Sequence, residues 1–92
     1  MAIRIEFSRQ AEKDLEKVPG YIKIKLLSWV ESVKNDGLEK TRKIPGYHDE
    51  PLKGDRLGQR SIRLSRSYRS IYEVTDGNPV VVEIREVTKH AY

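Results

Sequence analysis

Apolar residues recur at strand spacing at the start of the chain and then at helix spacing. Ile3, Ile5 and Phe7 lie at every second position, a period that predicts a half-buried strand. Ser8 is typical of a helix N-cap, since its hydroxyl can accept a hydrogen bond from a free amide of the first turn. The helix is expected to run to about Lys17, before a Pro-Gly pair breaks it. Its predicted buried stripe is Ala11, Leu15 and Val18.

The helical period resumes at Tyr21 and predicts a second, longer helix that ends near Gly37. Because two residues separate the helices, an antiparallel hairpin is expected. Tyr21, Ile24 and Leu27 widen the apolar surface, as expected if this helix packs on both a sheet and its partner helix. The main apolar stripe is Ile22, Leu26, Trp29, Val30 and Val33, and Trp29 is interpreted as core rather than as a platform for a base.

Residues 38–57 show no convincing period and contain two prolines and two glycines. A structureless loop of this length is unusual in a compact domain and is usually functional or mobile. It carries the polar run Tyr47, His48, Asp49 and Glu50.

The second half of the chain predicts three strands. Ile62 and Leu64 alternate with Ser61, Arg63 and Ser65, so one face of this strand is apolar and the other is polar and cationic. A tight turn at residues 65–67 leads into a strand over 68–74. A strong turn signal at 75–79 then leads into the last strand, over 80–87.

These elements predict an α+β fold, with residues 1–92 forming a single domain. The order is β-α-α-β-β-β, in which a two-helix hairpin packs on a small, twisted, antiparallel-rich sheet of about four strands. The pattern does not determine where the first strand enters the sheet. The sheet face that the helices leave uncovered would carry the arginines.

The composition excludes several classes of protein. With 37% hydrophobic and 35% charged residues, the chain is too apolar for a disordered protein and too polar for a membrane protein. No apolar run approaches the roughly 20 residues that span a bilayer. There is no cysteine, so neither a disulfide framework nor a zinc–thiolate site is expected, and the cytoplasm is the favoured compartment.

Positive charge is concentrated in one stretch. Residues 53–70 contain six cations and one acid, a net charge of +5, whereas the whole chain carries +4. A solvated sheet face is the commoner explanation of such a run. A merely soluble surface mixes both signs, however, so the bias favours an acidic partner such as nucleic acid.

Few side chains can transfer a proton to or from a substrate. Glu50 could be an ordinary loop acid and His90 an unengaged tail histidine, but both flank the cationic strand. No phosphate-binding loop, nucleophile elbow or metal-ligand spacing is present, and no metal or cofactor is predicted. RNA supplies its own nucleophile, the 2′-hydroxyl. The candidate parts are Glu50 or His90 as base, Arg63 and Arg69 as phosphate clamps, and His90 or Tyr92 near the leaving oxygen.

The chain resembles the RelE/ParE superfamily, the toxins of bacterial type II toxin–antitoxin systems, over essentially its whole length. The motifs that carry the resemblance are Pro51-Leu52-Lys53-Gly54-Asp55, Ser61-Ile62-Arg63-Leu64, Tyr68-Arg69-Ser70-Ile71-Tyr72 and Lys89-His90-Ala91-Tyr92. Their order and spacing together make the match specific. It implies two helices on a twisted antiparallel sheet, with the first strand beside later ones.

The RelE-like branch implies a ribosome-dependent endonuclease that cleaves mRNA in the A site without a metal. By position, Arg69 matches the arginine at the scissile phosphate, and Arg63 matches a basic residue that acts as base or clamp. Glu50 matches a carboxylate base, and His90 falls where a catalytic histidine or arginine lies, with Tyr92 near it. The expected RNA-binding residues are Lys53, Arg56, Arg60, Arg66 and Lys89.

Two alternatives remain beside this interpretation. A ParE-like protein would share the fold but inhibit DNA gyrase, and a non-catalytic nucleic-acid-binding module would use the basic strand alone. For the RelE-like interpretation, the expected partners are mRNA on the ribosome and a cognate antitoxin whose acidic segment covers the cationic surface. The free toxin is expected to be monomeric, with no membrane partner.

Overall fold

The computed structural model describes residues 2–89, which form three helices and a five-stranded mixed sheet. The helices are α1 (Arg9–Lys17), α2 (Gly20–Asp36) and α3 (Leu38–Arg42). The strands are β1 (Ile3–Phe7), β2 (Glu50–Pro51), β3 (Gln59–Arg63), β4 (Tyr68–Thr75) and β5 (Val80–Lys89). Short 3-10 helices flank β2, at Pro45–Tyr47 and Gly54–Arg56.

Ser8 fixes the beginning of α1, as the sequence predicts. Its Oγ accepts from the amide of Ala11 at 3.0 Å and donates to the carbonyl of Arg85 at 2.6 Å, so one hydroxyl caps the helix and ties it to β5. The predicted end of α1 at Lys17 is confirmed. Farther along α1, Asp14 Oδ2 accepts from the amide of Val87 at 2.9 Å, a second link between α1 and β5.

The α2 helix buries one stripe and exposes the opposite one. The predicted core residues Ile22, Leu26, Trp29, Val30 and Val33 are all buried. The expectation that Tyr21, Ile24 and Leu27 pack on another element is wrong, since they are 62%, 68% and 54% exposed. Residues at positions 21, 24 and 27 lie on the helix face opposite the stripe through Leu26, so a helix that covers the sheet with one face turns them outward.

The sheet order is β1-β5-β4-β3-β2. The first strand lies beside the last one and runs parallel to it, with Ile5 opposite Val82, whereas all the other pairs are antiparallel. Sequence analysis predicted about four strands, and the fifth is β2. It forms inside residues 38–57, the segment expected to be structureless, which also contains α3. A strand of two residues and a helix of five, little more than one turn, are too short to give a recognisable hydrophobic period.

The core lies between one face of the sheet and the helices. Ile62, Tyr72, Val82 and Ile84 point to this covered face and are fully buried. The ring of Trp29 packs on that of Tyr72, with centroids 4.8 Å apart and a tilt of 50°. The other face of β3 and β4 is left open, and it presents the side chains that alternate with the core. In residues 2–89, no helix has the length and apolar character needed to cross a membrane.

Candidate active site

Strand pairing brings an acid and a cation together on the open face of the sheet. Glu50 lies opposite Ser61 in the β2–β3 pair, and Arg63 lies opposite Arg69 in the β3–β4 pair. Arg69 Nη1 donates to Ser61 Oγ at 3.0 Å and lies 3.5 Å from Glu50 Oε1. The Arg69 side chain is 16% exposed, whereas that of Glu50 is 60% exposed. A fixed guanidinium thus lies beside a carboxylate that solvent and substrate can reach.

A shallow cleft of about 310 Å³ surrounds this pair. Its apolar lining includes Leu52 and Ile71. Thr88 of β5 also lines the cleft and lies opposite Arg69 in the β4–β5 register. Arg56 and Glu86 also line it and form a salt bridge of 2.9 Å. The cleft therefore combines a small apolar floor with charged groups, an arrangement suited to a ligand that carries both a ring and a phosphate.

Arg63 and Arg69 are direct cross-strand neighbours with like charge. Such a pair destabilises a sheet by roughly 0.2–1 kcal/mol. In addition, Arg63 Nε is buried and has no hydrogen-bond partner among the described residues. An unsatisfied buried donor costs about 1–3 kcal/mol. An anion bound between the two arginines would relieve the repulsion between them.

The predicted RNA-binding residues are distributed around the cleft rather than gathered inside it. Lys53 and Arg66 are exposed, in the segment after β2 and in the β3–β4 turn. Arg56 lines the cleft, where it is paired with Glu86. Lys89 is exposed at the end of β5, opposite Tyr68.

Arg60 is not brought to the open face. It alternates with Ser61 and so shares the covered face with Ile62, where its Nε lies 2.6 Å from Asp49 Oδ1. Its guanidinium is committed to that carboxylate, and we therefore leave Arg60 out of the RNA-binding surface. His90 and Tyr92 lie outside the described residues.

A buried polar cluster that was not predicted from the sequence lies behind the site. The Asp49 carboxylate is 0% exposed, and it accepts from Arg60 Nε and from the hydroxyl of Tyr72. Arg42 Nε of α3 donates to the same hydroxyl at 3.3 Å. The alternation of β3 could have indicated this cluster, because it puts Arg60 on the same face as Ile62, where a cation needs a buried partner.

The cluster raises the pKa of two of its members, Tyr72 and Arg60. Burial, which is the larger effect, and the hydrogen bond to Asp49 raise the pKa of Tyr72 to about 12, although the hydrogen bond from Arg42 acts to lower it. Burial is the largest single influence on the pKa of Arg60 and lowers it, but the hydrogen bond to Asp49, the charge of Asp49 and the interaction with Tyr72 together outweigh burial and raise the pKa. At neutral pH the cluster therefore holds a charged guanidinium and a neutral phenol around one carboxylate. Within residues 2–89, no group of three or more His, Cys, Asp or Glu side chains could hold a metal ion.

The sequence matches the model of one protein family over residues 5–91. That family is described as the ParE toxin of type II toxin-antitoxin system, parDE. The comparison with curated proteins gave no match.

Several solved structures share the fold. The DinJ–YafQ toxin–antitoxin complex of E. coli aligns with a TM-score of 0.77 at 24% identity and covers 98% of this chain and 94% of that one. The YoeB/ParE toxin of Agrobacterium tumefaciens aligns at 0.73 and 19% identity, covering 96% and 99%. The YoeB–YefM complex of Staphylococcus aureus aligns at 0.69 and 24% identity, covering all of both chains. At identities this low, the similarities show a common fold.

Proposed function

This chain belongs to the ParE toxin family of type II toxin–antitoxin systems, and we propose that it is an endoribonuclease that cleaves mRNA on the ribosome. The observation that carries this proposal is the contact of Glu50 with Arg69, beside Arg63, on an open sheet face. A protein that only binds nucleic acid needs the cations but has no need of a carboxylate among them. An accessible acid beside two arginines is what phosphodiester cleavage requires.

In the proposed reaction, Glu50 takes the proton of a ribose 2′-hydroxyl. The resulting oxygen attacks the adjacent phosphorus, and the phosphate acquires additional negative charge in the transition state. Arg69 and Arg63, which lie opposite each other in the β3–β4 pair, stabilise that charge. The bond to the 5′-oxygen then breaks, and the products are a 2′,3′-cyclic phosphate and a 5′-hydroxyl.

The leaving 5′-oxygen needs a proton. His90 and Tyr92 are the proposed donors, from the sequence and from the resemblance alone. Thr88, two residues before His90, lies opposite Arg69 and lines the cleft. This register supports a proposal in which the end of the chain supplies the acid.

The size of the cleft supports a requirement for a second surface. Its volume of about 310 Å³ is at the lower end of the range for ligand pockets, roughly 300–1,000 Å³. It can therefore hold only a short part of an RNA chain, and orientation of the scissile bond must come largely from elsewhere. A ribosome that presents mRNA in its A site would supply that orientation, and the protein would then act in the cytoplasm.

We also propose a cognate antitoxin as a protein partner. The DinJ–YafQ structure is a toxin–antitoxin complex, and this chain shares its fold. An acidic segment lying over Arg63 and Arg69 would both neutralise the like charges and exclude RNA.

Inhibition of DNA gyrase is the second candidate function. The family that matches the chain is named for ParE, the branch to which the sequence analysis assigned this activity. The two functions make opposite predictions for Glu50, because a gyrase inhibitor has no step that requires a base.

The test compares the wild type with Glu50→Gln on mRNA that is translated by purified ribosomes, and on supercoiled DNA with gyrase. Glu16→Gln is the matched control, since Glu16 is exposed on α1 and the same charge is lost. The expected result is cleavage at equal rates by the wild type and the control, and at a residual rate about 100- to 10,000-fold lower in Glu50→Gln. Gyrase inhibition without mRNA cleavage, equal in all three proteins, would overturn the proposal.

A further inference from the structure

Glu50, the candidate base, lies on β2, the shortest strand of the sheet. β2 has two residues, Glu50 and Pro51, and it lies at the sheet edge, paired with β3 alone. Proline has no amide hydrogen, so Pro51 cannot donate to the ladder. The next hydrogen bond along the chain runs from the amide of Leu52 to the carbonyl of Gln59 at 2.9 Å. So short a ladder is a weak support for a side chain that must hold a defined position.

A stronger attachment is provided by the residue before Glu50. The side chain of Asp49 is fully buried, and its two carboxylate oxygens accept from Arg60 Nε and the Tyr72 hydroxyl. Arg60 lies opposite both Pro51 and Tyr72 in the register, so the attachment spans β2, β3 and β4. The Tyr72 ring is itself held against Trp29 in the core.

The backbone couples this attachment to Glu50. His48 adopts a left-handed conformation with φ of 45°, which turns the chain immediately before Asp49. Beyond that turn, successive side chains of an extended segment point to opposite faces of the sheet. Asp49 therefore points to the covered face and Glu50 to the open face. Because the two residues are adjacent, contacts that fix the position of Asp49 also fix the position of Glu50.

We infer that Asp49, Arg60 and Tyr72 form a buried clamp that positions Glu50 beside Arg69. The role of Glu50 in cleavage rests on the proposed function, whereas the mechanical role of the clamp does not. Asp49 is thus a positioning residue, which acts on the reaction through the carboxylate of its neighbour. Arg42 ties α3 to the same Tyr72 hydroxyl and adds a further link to the clamp.

Tyr72→Phe is the most selective test of the clamp. The change removes the hydroxyl and leaves the ring packed on Trp29, so the core is retained. Asp49→Asn is the second variant, because it removes the charge at nearly constant shape. Tyr21→Phe is the matched control, since Tyr21 is 62% exposed and lies on α2.

The first readout is hydrogen exchange, which needs no enzymatic activity. If the clamp holds β2, the Leu52 amide exchanges about tenfold or more faster in Tyr72→Phe, while amides of β5, an interior strand remote from β2, exchange as in the wild type. The Tyr21→Phe control should match the wild type at every amide. An unchanged Leu52 rate in both Tyr72→Phe and Asp49→Asn would overturn the inference.

The second readout is single-turnover cleavage in two backgrounds. Tyr72→Phe should lower the cleavage rate about tenfold or more with RNA affinity within about twofold, because the cations are untouched. In a Glu50→Gln background the same change should cause no additional loss, since the clamp acts through Glu50. An equal loss in both backgrounds would contradict the positioning role. Faster exchange at Leu52 in a protein that never cleaves RNA would support the clamp and overturn the proposed function.

Discussion

Replacing Arg69 by glutamine removes the cation closest to the candidate base. In the proposed transition state, the phosphate gains about one negative charge relative to the substrate. A charge pair at about 4 Å, with an effective dielectric constant of about 20 near a protein surface, is worth about 4 kcal/mol. Since each 1.4 kcal/mol or so is tenfold in rate, Arg69→Gln should reduce cleavage about a thousandfold.

The same change should have little effect on the free energy of unfolding. Loss of the Arg69 guanidinium takes away the 3.0 Å hydrogen bond to the buried Ser61 hydroxyl, a loss of about 1 kcal/mol. It also relieves the repulsion from Arg63 directly opposite, a gain of roughly 0.2–1 kcal/mol. These two effects nearly cancel, and loss of the contact with the exposed Glu50 carboxylate adds at most about 1 kcal/mol, so an inactive variant should still be a folded one.

The assay is single-turnover cleavage of mRNA on programmed ribosomes, with the unfolding midpoint in urea measured on the same preparations. Arg4→Gln is the control, because it removes the same charge from an exposed residue of β1. It should cleave at the rate of the wild type. Cleavage by a folded Arg69→Gln protein within about threefold of the wild type would refute the assignment of Arg69 to the phosphate.

Three further predictions concern ionisation, packing and binding. The pKa of Tyr72 is raised from 10.0 to about 12, so between these values the unfolded chain loses a proton that the folded protein keeps. Stability should therefore fall with rising pH in this window, by up to about 3 kcal/mol, and urea unfolding of Tyr72→Phe should lack that component. Leu26→Ala should lower the free energy of unfolding by about 2–5 kcal/mol, because Leu26 is buried, whereas Ile24→Ala at an exposed position should lower it by less than about 0.5 kcal/mol. Equal losses for the two variants in thermal or urea unfolding would contradict the orientation of α2. RNA affinity should decrease with salt at a log–log slope of about −2, as for roughly three neutralised phosphates, and a flat dependence in a filter-binding titration would count against a polyanion ligand.

The sequence was sufficient to predict the elements with a long hydrophobic period. The stripe through Leu26 and Trp29 and the strands that contain Ile62 and Val82 follow from periods of 3.6 and 2, and Ser8 as a cap follows from the chemistry of its hydroxyl. The same pattern predicts the open cationic face, because Arg63 must point away from Ile62. The error on Tyr21, Ile24 and Leu27 arose because an apolar residue on a helix does not by itself indicate a neighbour.

The support of the site could not be predicted, because it depends on tertiary contacts. Asp49 lies in a polar run without a period, and only the fold puts its carboxylate between Arg60 and Tyr72. The pairing of Glu50 with Ser61 likewise depends on the register of a two-residue strand. The hydrophobic pattern does not indicate that register. Residues of a candidate site were thus identifiable from sequence, but their mutual contacts were not.

The most direct test of the central claim uses an mRNA with a single 2′-deoxynucleotide on the 5′ side of the cleaved bond, placed in the A site of a stalled ribosome. The deoxy substitution removes the proposed nucleophile and leaves the phosphate and the bases unchanged. We predict that the wild-type protein cuts the all-ribose mRNA to a 2′,3′-cyclic phosphate and a 5′-hydroxyl, and leaves the substituted mRNA intact. Equal cleavage of both mRNAs would contradict attack by the 2′-hydroxyl and the role assigned to Glu50.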